Sequence, residues 1–438
     1  MELRDPIHGS IDISDAEEAV IDSVVFQRLR AIKQLGFSEF SFPGATHNRM
    51  IHSIGVSHLS GKVFDQVFSD FKFPNTKSKQ RLRQCLKLAA LLHDIGHGPL
   101  SHTTEEVMPP LKDLNVKSYE NRRTDLVLIE SDFTLDRQAN HEDYTIKFIT
   151  DSSLTDVLKR ACPDISPLHI ACLIDKTLIC PDDFFMVDGL DFRSILSQIV
   201  SSELDCDRMD YLERDAYFCG TNYGRVELTW LIANLTYNNV NEELFLALNR
   251  KALYAFDDFL LARHHMHLMV YFHHKSVVYE EILNRYLTSE DCEFYLPSDI
   301  NEYIACTDYA LYQHLSKVSN PWARRIAKRQ PYKVLFELHS TTEDNRPQEM
   351  QKRLEQEGIS TILAGTMARL SKYHAAAPEE KSFPIYVVDQ YDRLAKAYPI
   401  EESTEIFQKY EEIRRIERLY VEPESFHRAE KFIIDNKL

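Results

Sequence analysis

Leu91-Leu92-His93-Asp94-Ile95-Gly96-His97-Gly98-Pro99-Leu100-Ser101-His102 sets three histidines and a carboxylate at the end of an apolar helical run. The residues before it, Arg83-Gln84-Cys85-Leu86-Lys87-Leu88-Ala89-Ala90, are good helix formers with an apolar face, and Gly96, Gly98 and Pro99 stop the helix just after the His-Asp pair. Adjacent helical residues point about 100° apart, so His93 and Asp94 can share one ion only over the helix end, with ligands from elsewhere. The stretch predicts a metal site where a buried helix meets a loop.

Two other blocks offer partners. In His47-Asn48-Arg49-Met50-Ile51-His52-Ser53-Ile54-Gly55, Arg49 and His52 are i,i+3 neighbours on a predicted helix. In Ser201-Ser202-Glu203-Leu204-Asp205-Cys206-Asp207-Arg208-Met209-Asp210-Tyr211-Leu212-Glu213-Arg214-Asp215, a helix opening with hydroxyl caps and running to Gly220 sets Asp207, Tyr211 and Asp215 along one edge. Two carboxylates, a phenol and a neighbouring Arg208 suit a site wall better than a core face.

The rest of the chain bounds the answer. Its 438 residues, 44% hydrophobic, can bury a large core, and the 12 glycines and long amphipathic patterns from Phe26 to about Leu287 predict a mainly α-helical body, residues 1–290. Residues 291–438 read as a smaller mixed α+β region with strands at Tyr332–Glu337, Pro384–Asp389 and Glu417–Glu422. Thr341–Gln348 and Pro109–Asn140 read as flaps. A net charge of -17 disfavours nucleic acid or an anionic membrane as a general partner, so a polyanionic substrate needs local cations. With no apolar span of about 20 residues and no apolar signal core after Met1, the expectation is a soluble, cytoplasmic protein. Eight scattered cysteines without a Cys-x-x-Cys pair read as reduced thiols.

Together with Phe26-Gln27-Arg28-Leu29-Arg30-Ala31-Ile32-Lys33-Gln34-Leu35-Gly36, these blocks resemble the HD-domain phosphohydrolases, in particular their deoxynucleoside-triphosphate triphosphohydrolase branch. Four ordered blocks over the first 220 or so residues carry the resemblance. It implies an HD-domain helical core and a divalent metal ion (Mg, Mn, Fe, Zn or Ni) on His52, His93, Asp94 and Asp207. It further implies His141 as general acid, with His97 and His102 beside the α-phosphate and Glu142 or Asp143 orienting His141. Arg49 and Arg208 become phosphate clamps and Tyr211 a hydrogen-bond donor. Gln34 and Asp215 read the 3′-hydroxyl, and Leu35 crowds the ribose 2′ position. Tyr271 and Lys275 come from the histidine-rich Arg263–Lys275 segment, read as one pocket-closing helix.

The activity so implied is hydrolysis of a deoxynucleotide substrate, a dNTP, to deoxynucleoside and triphosphate, by a homo-oligomer (dimer or tetramer) that a nucleotide activator could regulate. The basic run Lys317–Lys333, with six cations, is the candidate contact for such regulation. Two alternatives stand beside this reading. One is an HD phosphohydrolase of nucleoside monophosphates, guanosine polyphosphates or nucleic-acid ends; the other is a non-catalytic nucleotide- or nucleic-acid-binding module.

Overall fold

The computed structural model describes residues 1–120, 122–123, 136–368, 384–392, 395–403 and 414–436. Of the described residues, 54% are helical and 15% are in strands: a helical core with small sheets. At its centre runs the Arg49–Val67 helix, started by Asn48, whose side chain accepts the Ile51 N–H. It is buried on nearly every face, so it carries no amphipathic stripe; Met50, Val56, Leu59, Val63 and Phe64 fill the core while Ser53, Gly55, Ser57 and Ser60 let neighbouring helices approach. The Thr76–Leu92 helix packs on one side, fixed by Ser57 Oγ donating to Lys87 O at 2.9 Å. On the other, the Cys206–Cys219 helix comes so close that a Cβ on Gly55 would lie 2.0 Å from Asp210 Oδ1, which only glycine avoids.

The Thr76–Leu92 helix ends where the sequence predicts, with His93 as its C-cap. The third helix differs at its start: its cap is Asp205 rather than Ser201 or Ser202. Asp205 Oδ1 accepts the Arg208 N–H and Oδ2 the Ser202 N–H, both at 2.7 Å, and a carboxylate at a helix N-terminus also meets the favourable end of the helix dipole. Gly220, at φ +68°, terminates this helix in the left-handed conformation.

The expected C-terminal strands form at Lys333–Ser340, Tyr386–Val388 and Arg414–Val421. Arg414–Val421 is the middle strand of an antiparallel sheet between Lys333–Ser340 and Thr361–Ala368. Tyr386–Val388 instead pairs in parallel with Glu243–Asn249 in a sheet of the first half. Past residue 290, Leu296, Ile300, Tyr303, Ile385, Val387 and Ile400 all belong to the main core. The second half is thus threaded into the first.

Of the expected flaps, residues 121 and 124–135 lie outside the described residues. Leu111–Leu114 is a helical turn, Pro110 bridges Gln138, and the other flap becomes helix from Arg346. In the basic run, Arg325 pairs with Glu422 at 2.7 Å, and Arg329 and Arg325 lie over the rings of Phe40 and Tyr332.

Candidate metal centre

Three helices bring His52, His93, Asp94 and Asp207 together. Asp207 Oδ1 lies 3.1 Å from His52 Nε2 and 3.6 Å from His93 Nε2, and Asp94 reaches the same two nitrogens at 3.6 and 3.4 Å. His52 is fully buried, whereas Asp207 keeps 33% of its side chain exposed, so the cluster opens on that side.

Whether these residues suit a cation is decided at the ring nitrogens. His52 Nδ1 is bonded to Asp210 Oδ2 at 2.8 Å and His93 Nδ1 to the Ala90 carbonyl at 2.8 Å, which fixes each proton on Nδ1 and turns the Nε2 lone pair inward. Both Nε2 atoms are buried without a hydrogen-bond partner. Two imidazole lone pairs facing two carboxylates fit a divalent transition metal or Mg better than Ca. Burial pulls the His52 imidazolium down, but Asp207 and Asp210, one at each nitrogen, outweigh it and hold it up at about 10. Protons and a cation therefore compete for one lone pair, and affinity falls as pH falls. Asp94 is driven well below the carboxylate range: burial opposes this, and Arg49, His93 and His97 override it.

Behind His52 lies a carboxylate absent from the sequence-based expectations. Asp210 takes His52 Nδ1 (2.8 Å), His8 Nε2 (2.6 Å) and Arg214 Nε and Nη2 (2.7 and 2.9 Å), while Arg214 also pairs with Asp5. His8 arrives from the N-terminal hairpin, Glu2–Asp5 with Gly9–Asp12, whose turn is tied by Asp5 Oδ1 accepting the Ile7 and His8 N–H groups. Asp210 sits three residues after Asp207 on the same helix, the one signal available in the sequence.

On the other side of Asp94, His97, His102, Glu105 and His141 form a second cluster. The His97 and His141 rings stack at 3.8 Å and 12°. Glu105 Oε1 accepts from His141 Nδ1 at 2.6 Å and His102 Nδ1 at 2.9 Å. This corrects the expected partner: Glu142 is exposed, and Asp143 is committed to Arg137, Tyr119 and the helix cap at Asn140, so Glu105 orients His141. The stacked rings are pushed apart electrostatically. Burial, Arg49 and His141 hold His97 well below its usual value; for His141, burial pulls down and Glu105 outweighs it, raising the imidazolium. Gly96 permits the stack, since a Cβ there would lie 2.0 Å from His141 O.

The histidine loop is held by a sharp turn. Leu100 (φ +55°) and Ser101 (φ +59°) are both left-handed and both buried. Asp308 accepts the Leu100 N–H at 2.8 Å, and Ser101 Oγ donates to Lys33 O and accepts from Arg49 Nε, each at 2.9 Å.

The remaining expected residues divide. Arg49 is buried, its Nη1 on Asp94. Arg208 is half-buried, its Nη1 shared by Asp205 and the Ser202 carbonyl. Asp215 takes Tyr271 Oη at 2.9 Å and His47 Nε2 at 2.8 Å, and the His47 carbonyl accepts the Gln34 N–H at 3.1 Å, so Gln34, Asp215 and Tyr271 share one network. Gln34 Oε1 is buried and unpartnered; Leu35 packs on the core; Tyr211 is half-buried, its ring 6.2 Å from Tyr271. Lys275 is exposed outside this network.

The expected single helix over Arg263–Lys275 is broken. Leu253–Met266 passes into a π-helical turn, His267–Tyr271, closed by Phe272 N–H to His267 O at 2.8 Å, and a new helix starts at His274. The extra residue of such a turn re-aims side chains, here Tyr271 toward Asp215. Arg263, not singled out in the sequence, is buried on Glu203 at 2.7 Å. Among the described residues, no helix is long and apolar enough to cross a membrane.

Residues 49–176 match the HD domain and residues 226–367 the HD-associated region. An uncharacterized protein of Bacillus subtilis, YwfO, is 32% identical over 65% of this chain and 54% of its own length. Human deoxynucleoside triphosphate triphosphohydrolase SAMHD1 is 28% identical over 66% of this chain and 44% of its own. This chain spans little more than half the length of the first curated relatives it matches, 54%, 59% and 57%. A crystal structure of a hypothetical protein from Aquifex aeolicus superposes with a TM-score of 0.72 at 25% identity, covering 98% of this chain and 99% of the other.

Proposed function

The chain belongs to the HD-domain phosphohydrolases that carry an HD-associated region, and from that premise we propose that it hydrolyses deoxynucleoside triphosphates to deoxynucleoside and triphosphate. The observation that carries this reading is the stacked His97–His141 pair beside the two-histidine, two-aspartate cluster, the basicity of one ring pushed down and that of the other pushed up. Neighbouring titratable groups driven in opposite directions mark an acid and a hydrogen-bonding partner.

A divalent cation held by His52, His93, Asp94 and Asp207 supplies Lewis acidity and an acidified water when bound. The chain supplies the rest. His141, its basicity raised by Glu105, is the proton donor to the leaving 5′-oxygen. His97 and His102 line the α-phosphate. Arg49, Arg208 and Arg263 face the polyphosphate, each already positioned by a carboxylate. Tyr271 and His47 hold Asp215 so that it and Gln34 read the 3′-hydroxyl, with Leu35 against the 2′ position. The buried, unpartnered Gln34 Oε1 supports a role in accepting a ligand hydroxyl.

The test is incubation of the protein with each dNTP and NTP under Mg, Mn, Fe, Zn and Ni, with products separated by chromatography. Deoxynucleoside plus triphosphate is expected. Release of pyrophosphate, or no turnover of any dNTP under any of these metals with nucleotide activators present, overturns the reading.

A further inference from the structure

Beyond the carboxylate-paired arginines, one more cation lies a single carbonyl away from Arg208, on a segment outside the sequence blocks quoted above. The Pro167–Ile174 helix ends at Asp175, and Lys176 follows in a turn held from two sides. Asp175 Oδ1 accepts the Thr177 N–H at 2.8 Å and its hydroxyl at 2.6 Å, and Asp175 Oδ2 takes Arg122 Nη2 at 3.2 Å. From below, the Arg193 guanidinium donates to the carbonyls of Cys172, Lys176 and Leu178. The Lys176 backbone is therefore fixed, and its Nζ donates to Ser201 O at 3.2 Å. Arg208 Nη1 holds the next carbonyl, Ser202 O. Two cations from separate segments thus converge on adjacent carbonyls of the strip leading to Asp207.

We propose that Lys176 is a phosphate ligand of this site, gripping the outer phosphates of a nucleoside triphosphate beyond Arg208; the proposal rests on the triphosphohydrolase reading for its substrate. Among the described residues, the charged groups facing the ammonium include Asp205, Arg208 and Glu142. Burial pushes it down to about 8, with Arg208 acting in the same direction against Asp205 and Glu142. A half-buried ammonium beside a guanidinium gains from an arriving polyanion. In a chain of net charge -17 such a local cation also offsets the repulsion that the polyphosphate meets.

The test uses the metal-loaded full chain, with Lys176→Ala, Lys176→Gln and Lys176→Arg measured beside Arg208→Ala. Loss of one charge-assisted contact raises KM for a dNTP about tenfold and weakens inhibition by inorganic tripolyphosphate equally, with kcat within about twofold. Lys176→Arg restores both. Unchanged KM and tripolyphosphate inhibition in Lys176→Ala and Lys176→Gln, where Arg208→Ala alters both, overturns the proposal; so does metal loss or a lowered melting temperature in both uncharged variants. Should the wild type turn over no dNTP, direct tripolyphosphate binding by calorimetry keeps the two claims apart. Binding weakened tenfold by Lys176→Ala upholds the phosphate site while the triphosphohydrolase reading fails, and no tripolyphosphate binding by the wild type overturns both.

Discussion

Asp210→Asn isolates what the carboxylate behind His52 does. Two oxygens take four N–H donors: Oδ1 those of His8 Nε2 and Arg214 Nη2, Oδ2 those of His52 Nδ1 and Arg214 Nε. A carboxamide offers one oxygen and turns two N–H groups on the other pair. Because Arg214 donates to both oxygens, one of its N–H groups meets the amide NH2 in either orientation. That loss costs about 1–3 kcal/mol, limited because Asp5 still holds Arg214 at 2.8 Å. If the NH2 faces His52, Nδ1 must accept, the proton moves to Nε2, and the ligating lone pair is gone. If the amide oxygen faces His52, the ring keeps its tautomer but loses a neighbouring charge, and its basicity falls. Either way affinity for the divalent ion should drop about 10- to 100-fold, or about 1.4 to 2.7 kcal/mol. The assay is metal content by mass spectrometry after dialysis against graded chelator, beside wild type and Asp207→Ala. A wild-type chelator midpoint in Asp210→Asn, with metal lost from Asp207→Ala, would refute the claim that Asp210 sets the His52 tautomer.

Two further outcomes follow from the same geometry. In Glu105→Gln the His141 imidazolium loses the charge that raises it, while the burial that lowers it stays. A general acid works only while protonated, so the alkaline limb of the kcat profile should move to lower pH and kcat at neutral pH should fall about 10²-fold with metal content unchanged; a limb that stays in place removes Glu105 from this role. Gly55→Ala sets a methyl 2.0 Å from Asp210 Oδ1 and 2.5 Å from Arg214 Nη2, two locked groups, and should destabilise by about 3 kcal/mol and release metal. Gly61→Ala is the control: its methyl meets only side-chain atoms of Arg83 and Lys87, at 3.1 and 3.2 Å, against 2.0 Å at Gly55, and equal denaturation midpoints in the two variants would contradict the close-packing argument.

The residues legible in the sequence were those whose chemistry repeats at short spacing. His93 and Asp94 are adjacent, Arg49 and His52 one turn apart, and Asp207, Tyr211 and Asp215 four apart, so each block could be read within one helix. The partners of those residues were not legible, because they are chosen by packing. Glu105 and Glu142 are both acids near His141, and only the fold sends one to the ring and the other to solvent. His8 lies 202 positions from Asp210, and no local pattern links them. The break after Met266 escaped for a different reason: a π-helical turn keeps helical composition while shifting the register by one residue. Three C-terminal strands were visible from alternation and β-branched content, but alternation says nothing about which sheet a strand joins, and Tyr386–Val388 crosses into the other half.

Leu100 and Ser101 give the histidine loop a kind of tension. Each non-glycine residue in the left-handed region costs about 1–2 kcal/mol, and here the two are consecutive. The restraint comes from Asp308, 208 positions along the chain from Leu100 and pinned also to Lys33 N–H at 2.9 Å. Energy released elsewhere in folding is thus kept as a bent loop, and His97 and His102 stand aligned before any ligand binds. Binding energy from the ligand need not be spent on ordering them and remains available to the transition state. A loop set this way acts as a taut string tuned by a residue far along the chain that packs directly against it.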